Sequence, residues 1–67
     1  MLDNQVLNDA TRQCLTRLAE IEAERGDIAA CLDAMRAALH LDQEHTPAAA
    51  RRRIMCRRTI RAIEAML

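Results

Sequence analysis

The sequence predicts an all-α fold in which three helices form a single domain. Gly26-Asp27 is typical of a helix end followed by a helix start, because glycine tolerates a positive φ and aspartate accepts from free helical N–H groups. Thr46-Pro47 is a second start signal, an N-cap with proline at the first helical position. Between these signals, apolar residues recur at helical spacing. The expected helices are residues 4–25, 28–41 and 47–66, a helical hairpin followed by a C-terminal capping helix.

The first helix is expected to begin after Asp3, an N-cap across which Leu2 and Leu7 can pack as a hydrophobic staple. Its most apolar face repeats every three to four residues, which predicts that this face is buried against a neighbouring helix. The residues of that face are Leu7, Ala10, Cys14, Leu18 and Ile21, with Leu15 at its edge.

The second helix has apolar residues on two faces. The face with larger side chains contains Ile28, Cys31, Leu32, Met35, Ala38 and Leu39, and the face with smaller ones contains Ala30, Ala34, Ala37 and Leu41. Small side chains let a neighbouring helix come close. We therefore expect the second helix to lie in the middle of the domain, covered on both flanks.

The third helix separates an apolar arc from an arginine-rich arc. The apolar arc contains Ala48, Ala49, Met55, Cys56, Thr59, Ile60, Ala62, Ile63, Met66 and Leu67. Two residues break the pattern, since Arg52 points into the apolar arc and Ile54 lies among the arginines. A solvated row gains nothing from an isoleucine, whereas a protein interface gains an apolar contact surrounded by charge. The candidate partner-binding residues are Arg51, Arg53, Ile54, Arg57, Arg58 and Arg61.

The apolar content is small for a chain that folds alone. The 67 residues include no Phe, Tyr or Trp, and thirteen of the apolar residues are alanine. A chain of this length and composition is near the lower limit for a stable intramolecular core. We therefore expect a homodimer or the small subunit of a complex, with the apolar arc of the third helix as the interface. The candidate interface residues are Met55, Ile60, Ile63 and Leu67.

The net charge of zero is the sum of an acidic N-terminal part and a basic C-terminal part of the chain. Residues 1–45 carry four arginines and nine acids, a net charge of −5, whereas residues 46–67 carry six arginines and one acid, a net charge of +5. Such a division is typical of self-complementary subunits or of two different binding surfaces. The arginine cluster leaves nucleic-acid binding as an alternative, because arginine neutralises phosphates and reads guanine edges. The acidic remainder and the lack of aromatic side chains for base stacking count against it.

The sequence predicts neither an enzyme nor a cofactor or metal site. Cys14, Cys31 and Cys56 lie far apart, one in each helix, so we expect buried thiols rather than disulfides or zinc ligands. A chain without a pocket-sized core does not support a Ser/His/Asp, Cys/His or paired-carboxylate site. No apolar run reaches the ~18 residues of a membrane span, and the N-terminus lacks the segments of a signal peptide. The expected location is the cytoplasm.

Residues 12–45 form a 34-residue unit of helix, turn and helix in which large and small apolar residues occupy characteristic positions. These positions are Leu15, Leu18 and Ala19 on the first helix, Gly26-Asp27-Ile28 at the turn, Cys31 and Met35 on the second helix, and Ala38-Leu39-His40-Leu41-Asp42 at its end. In this pattern the unit resembles one tetratricopeptide repeat. Glu22 and Gln43 depart from it, standing where the family commonly has an aromatic residue and a proline.

The resemblance covers about half of the chain and implies a role for each part of it. The third helix would be the first helix of a next repeat, or a cap on the hairpin. Repeat proteins usually need about three units for stability, which again favours self-association or a partner. The family binds proteins, so the resemblance implies a small interaction module that chaperones, inhibits or regulates a larger protein.

Overall fold

A computed structural model describes residues 4–67 and contains three α-helices and no strand in that range. Helix α1 is Asn4–Glu24, α2 is Ile28–Leu41 and α3 is Pro47–Met66. The all-α prediction and the expected helix bounds are confirmed, except that α1 ends one residue earlier than expected. The expected N-cap, Asp3, lies outside the described residues. So does Leu2, one of the two residues of the expected staple with Leu7.

The turn between α1 and α2 is formed as the sequence predicts. Gly26 has a φ of +81°, and its N–H donates to the carbonyl of Ala23 at 3.1 Å. The N–H of Asp27 donates to the carbonyl of Glu22 at 2.9 Å, which completes a Schellman motif. The Asp27 carboxylate then accepts from the N–H of Ala30 at 3.0 Å and caps α2.

The start of α3 also follows the predicted capping pattern. The Thr46 hydroxyl accepts from the N–H of Ala49 at 3.0 Å, and Pro47 occupies the first turn. Proline loses nothing at this position, because its missing N–H would have had no partner within the helix. The four residues between α2 and Thr46 form an irregular connection.

The three helices form one layer with α2 in the middle. Helix α2 packs against both α1 and α3, whereas no Cα atom of α1 lies within 8 Å of one in α3. The shape measures 40 × 24 × 14 Å, and its smallest dimension is close to the diameter of one helix, about 10–12 Å with side chains. The expected central position of the second helix is therefore confirmed.

A single layer leaves only a thin interior. Ala19, Cys31 and Ala34 form a buried cluster between α1 and α2, with Met35 packed against it. The other buried apolar residues are Leu32, Ala38, Ala49 and Ile60. None of the large side chains among the described residues is completely buried. The small interior agrees with the limited apolar content of the sequence.

The prediction of which face of α1 is buried is wrong. Leu7, Ala10, Cys14, Leu18 and Ile21 are all exposed, whereas Ala19 is the buried residue of α1, and Leu15 and Glu22 are half-buried. The physical reason is close packing, because α1 approaches α2 through the small Ala19, which meets the equally small Cys31 and Ala34. Hydropathy alone selected the more apolar face, and that face has no packed neighbour among residues 4–67.

None of the helices within residues 4–67 combines the length and the apolar character needed to cross a membrane.

Candidate protein-interaction site

A groove of about 430 Å³ opens between α1 and α3, with α2 as its floor. It exists because α2 separates the two outer helices, which pack on α2 and not on each other. Most of its surface is apolar. Its lining residues are Arg12, Thr16, Ala19, Glu20 and Ala23 of α1, Cys31, Met35, Ala38, Leu39 and Asp42 at α2, and Arg52, Met55, Cys56, Thr59 and Ile63 of α3.

The width of the groove follows from the arrangement of the three helices in one layer, with α2 between α1 and α3. Neighbouring packed helices lie about 8–10 Å apart, so two helices on either side of a third are separated by up to about 16–20 Å. Small floor residues such as Cys31 and Ala38 keep the space between the walls open. A gap of this size has about the width of one helix or one extended segment.

Asp42 closes one end of the groove and anchors α3. Its side chain is only 3% exposed, and its two carboxylate oxygens accept from Nε and Nη2 of Arg52, both at 2.7 Å. Arg53 donates to the carbonyl oxygen of Glu44 at 2.7 Å and approaches Asp42 at 3.5 Å. The bidentate geometry is the strongest form of a carboxylate–guanidinium pair.

These contacts shift the pKa values of both Asp42 and Arg52. The hydrogen bonds from Arg52 hold the pKa of Asp42 below its usual value, against the opposing effect of burial. The same bonds raise the pKa of Arg52 further. Arg12 of α1 adds a smaller electrostatic contribution to the lowered pKa of Asp42. The Nε atom of Arg12 is buried and has no hydrogen-bond partner within the described residues.

A second ion pair joins α2 to α3 at the other end of their contact. Arg36 donates to Glu64 at 2.6 Å, and both side chains are nearly half exposed. Because solvent screens such a pair, its contribution to stability is small. Asp42 is therefore the main polar anchor of α3.

The candidate partner-binding residues of α3 divide into two groups. Arg51, Arg57, Arg58 and Arg61 are exposed and form no ion pair within residues 4–67, and Ile54 beside them is 47% exposed. Arg53 differs, because its guanidinium is turned inward to Asp42 and Glu44. Arg57 and Arg53 also line a cleft of about 670 Å³ on the flank of α3 away from the groove, with about equal polar and apolar surface.

The candidate interface residues of α3 also differ in how exposed they are. Met55 is 57% exposed and lines the groove, together with the half-buried Ile63. Leu67 is exposed at the end of the chain. Ile60 is only 7% exposed and packs in the chain's own interior, where a second copy does not reach it.

The three cysteines have three different environments. Cys31 is buried as expected, and Cys56 is half-buried with its thiol 3.8 Å from the carbonyl oxygen of Met35. Burial raises the pKa of the Cys56 thiol. Cys14 is exposed, so its expected burial is wrong for the same reason as the rest of its face of α1. Within the described range, no group of three His, Cys, Asp or Glu residues is placed to hold a metal ion.

Sequence reasoning missed the groove and the role of Asp42. One signal for Asp42 was present, because Arg52 interrupts the apolar arc of α3 and an arginine turned towards an apolar interior needs a carboxylate partner. The groove had no such signal, since it results from the gap between α1 and α3 rather than from any run of residues.

No family model, curated protein or solved structure matches this chain. The resemblance to a tetratricopeptide repeat rests on the chain's own residues and stays a prediction.

Proposed function

We propose that this chain is a small protein-interaction module that binds one segment of a larger protein in the groove between α1 and α3. It acts by docking, without chemistry of its own, and thereby chaperones, inhibits or regulates the partner. In this proposal the hairpin α1–α2 is a tetratricopeptide-like unit, and α3 is the capping helix that supplies the second wall of the groove.

The observation that carries the proposal is the apolar groove itself. Exposed apolar surface in a concave site is costly in water and is typical of binding sites for partner segments. Met55 on one wall and Met35 on the floor suit such a site, because methionine side chains adapt to irregular surfaces. Charged residues at the rim, including Glu20 and Arg52, surround the apolar floor as in other protein interfaces.

The outer face of α3 supports the same function and indicates the charge of the partner. Ile54 lies exposed among Arg51, Arg58 and Arg61, so this face offers an apolar contact within a positive field. An acidic partner surface next to the docked segment would complement it and increase the association rate.

The proposal is tested by affinity capture from a cytoplasmic extract of the native cell, followed by mass spectrometry. Met55→Glu places a charge in the groove, and Met66→Glu is the matched control on the same helix. Both methionines are more than half exposed, and only Met55 lines the groove. We expect a partner that is captured by the wild type and by Met66→Glu and lost with Met55→Glu. Equal capture by all three proteins would contradict the proposal.

Nucleic-acid binding is the second candidate, favoured by the four exposed arginines of α3 that have no ion-pair partner within residues 4–67. Phosphate contacts would make its affinity fall steeply with salt. Retardation of DNA or RNA that is lost with Arg57→Glu and unchanged with Met55→Glu would favour this candidate over protein docking.

A further inference from the structure

One of the charged side chains in the groove between α1 and α3 has no ion-pair partner within residues 4–67. Four charged residues line the groove, namely Arg12, Glu20, Asp42 and Arg52. Glu20 accepts from Arg17 at 2.9 Å, and Asp42 accepts from Arg52 at 2.7 Å. Arg12 forms no ion pair in this range, and its buried Nε atom has no hydrogen-bond partner there.

Arg12 lies near the end of the groove that Asp42 closes. Its charge contributes to the lowered pKa of Asp42, but both carboxylate oxygens of Asp42 already accept from Arg52. Arg52 binds that carboxylate through Nε and Nη2, the edge of a guanidinium group that fits a carboxylate. Arg12 has the same edge with its Nε unused among the described residues. Because Arg12 is only half-buried and its side chain is long and rotatable, this edge can turn towards a docked group.

A docked segment would remove water from Arg12. The surface beside Arg12 is mostly apolar, with Met35 on the floor and Met55 on the opposite wall. A guanidinium that loses its water without gaining a counter-charge costs free energy, and a carboxylate that accepts its hydrogen bonds offsets this cost. Both carboxylates that line the groove, those of Glu20 and Asp42, are already paired. The carboxylate for Arg12 therefore has to come from the segment that docks.

We infer that the segment bound in the groove is amphipathic, with an aspartate or glutamate that pairs with Arg12 and an apolar side chain that contacts Met35 and Met55. The inference rests on the proposed function, because it specifies the chemistry of the segment that the groove binds.

The groove also sets the spacing between the acid and the apolar residue. Met35 packs against Ala19, which lies seven residues after Arg12 on α1. Seven residues of helix are about 10 Å long. In a helical segment that follows α1, the apolar residue is therefore about seven residues from the acid. In an extended segment it is about three residues away.

Selection from a displayed peptide library tests the inference without the natural partner. The library contains random peptides of about fifteen residues, long enough for about four helical turns. It is selected on the immobilised whole chain, and peptides that also bind Met55→Glu are removed. We expect the recovered peptides to share one Asp or Glu, with an apolar residue at one of the two spacings.

Titration of purified peptides measures the pairing with Arg12. We expect replacement of the shared acid by its amide to weaken binding to the wild type at least about tenfold, and binding to Arg12→Gln less than about twofold. Arg25→Gln is the matched control, because it removes the same charge from α1. The Arg25 side chain is 71% exposed and does not line the groove. We expect Arg25→Gln to respond to the replacement as the wild type does.

Arg12→Lys is a second variant and decides the outcome if Arg12→Gln does not fold. Lysine keeps the charge but cannot present two parallel N–H groups to a carboxylate. We therefore expect replacement of the acid to have a smaller effect in Arg12→Lys than in the wild type. An equal effect in the two proteins would count against the pairing.

The outcomes separate this inference from the proposed function. Peptides that require Met55 but share no acid would overturn the inference and leave docking in the groove standing. The same holds for an acid whose replacement weakens binding equally in the wild type and in Arg12→Gln. If no recovered peptide distinguishes the wild type from Met55→Glu, both the inference and the proposed function are overturned.

Discussion

The two contacts of α2 differ in their chemistry. Towards α1, the contact is built from small apolar side chains around Ala19, Cys31 and Ala34, and a capped turn connects the two helices. Towards α3, the contact is less extensive, and beside the buried Ala49 and Ile60 of α3 it contains the ionic cluster of Asp42 with Arg52 and Arg53.

This difference predicts different responses to the same perturbation. Close apolar packing is insensitive to pH and salt, whereas a buried carboxylate that anchors two guanidinium groups requires its charge. We therefore expect α3 to separate from α2 under conditions in which the α1–α2 hairpin remains packed. Since α3 supplies one wall of the groove, loss of this contact would also remove the proposed binding site.

The largest expected effect is that of Asp42→Asn. The amide cannot accept two charge-assisted hydrogen bonds from Arg52, and among the described residues it leaves that guanidinium only the more distant Glu44 carboxylate, at 3.4 Å, as a counter-charge. Loss of one member of a buried pair costs about 3–5 kcal/mol, and we expect about 2–3 kcal/mol here because Arg52 is partly exposed. Urea denaturation followed by far-UV circular dichroism measures the change.

Asp33→Asn is the control for Asp42→Asn, because Asp33 lies in α2, the helix that Asp42 directly follows, and its side chain is 81% exposed. We expect its effect on stability to be within about 0.5 kcal/mol. If the two variants were equally stable, the ionic cluster would not be what holds α3.

A smaller effect is expected on the hairpin side for Gly26→Val. An added Cβ would meet no atom within 4 Å, so the cost comes from the positive φ of the backbone alone. For a β-branched residue in this region we expect a loss of about 1–2 kcal/mol. Gly26→Ala should cost less. A melting temperature that is unchanged by Gly26→Val would show that the turn does not depend on the left-handed conformation.

The smallest effect on stability is expected for Ile54→Asp. Ile54 is exposed, so we expect unchanged helicity and a change in the free energy of unfolding within about 0.5 kcal/mol. Its effect should appear in partner binding, which we also expect Arg57→Glu and Arg61→Glu to weaken, more strongly at low salt. Titration calorimetry with the captured partner measures this. Full affinity in all three variants would remove the outer face of α3 from the binding site.

The sequence was sufficient to predict the helices and their order. Gly26, Asp27 and Thr46 act through local hydrogen bonds and backbone conformation, which depend on neighbours in the sequence. The central position of α2 could also be predicted, because both of its faces are apolar or small.

The buried face of α1 and the groove could not be predicted. A helix such as α1, with a large apolar face and a small residue beside it, can pack through either, and the choice depends on the shape of α2. Here Ala19 was selected by close packing and Leu18 was left exposed. Similarly, the pairing of Asp42 with Arg52 joins residues ten positions apart across a connection whose path is a property of the folded chain.

The difference between the two contacts of α2 is tested most directly by acid titration of the wild type. At each pH, nuclear Overhauser effects between side chains report which contacts remain. The pKa of Asp42 lies below its ordinary value of 3.8 in the folded protein, because Arg52 donates hydrogen bonds to the carboxylate. Its contribution to stability is therefore fully present above pH 3.8 and is lost as the pH falls through the lowered pKa. We expect contacts between α2 and α3 to disappear in this range while those among Ala19, Cys31 and Ala34 remain. Simultaneous loss of both sets of contacts, or earlier loss of the α1–α2 contacts, would contradict the account.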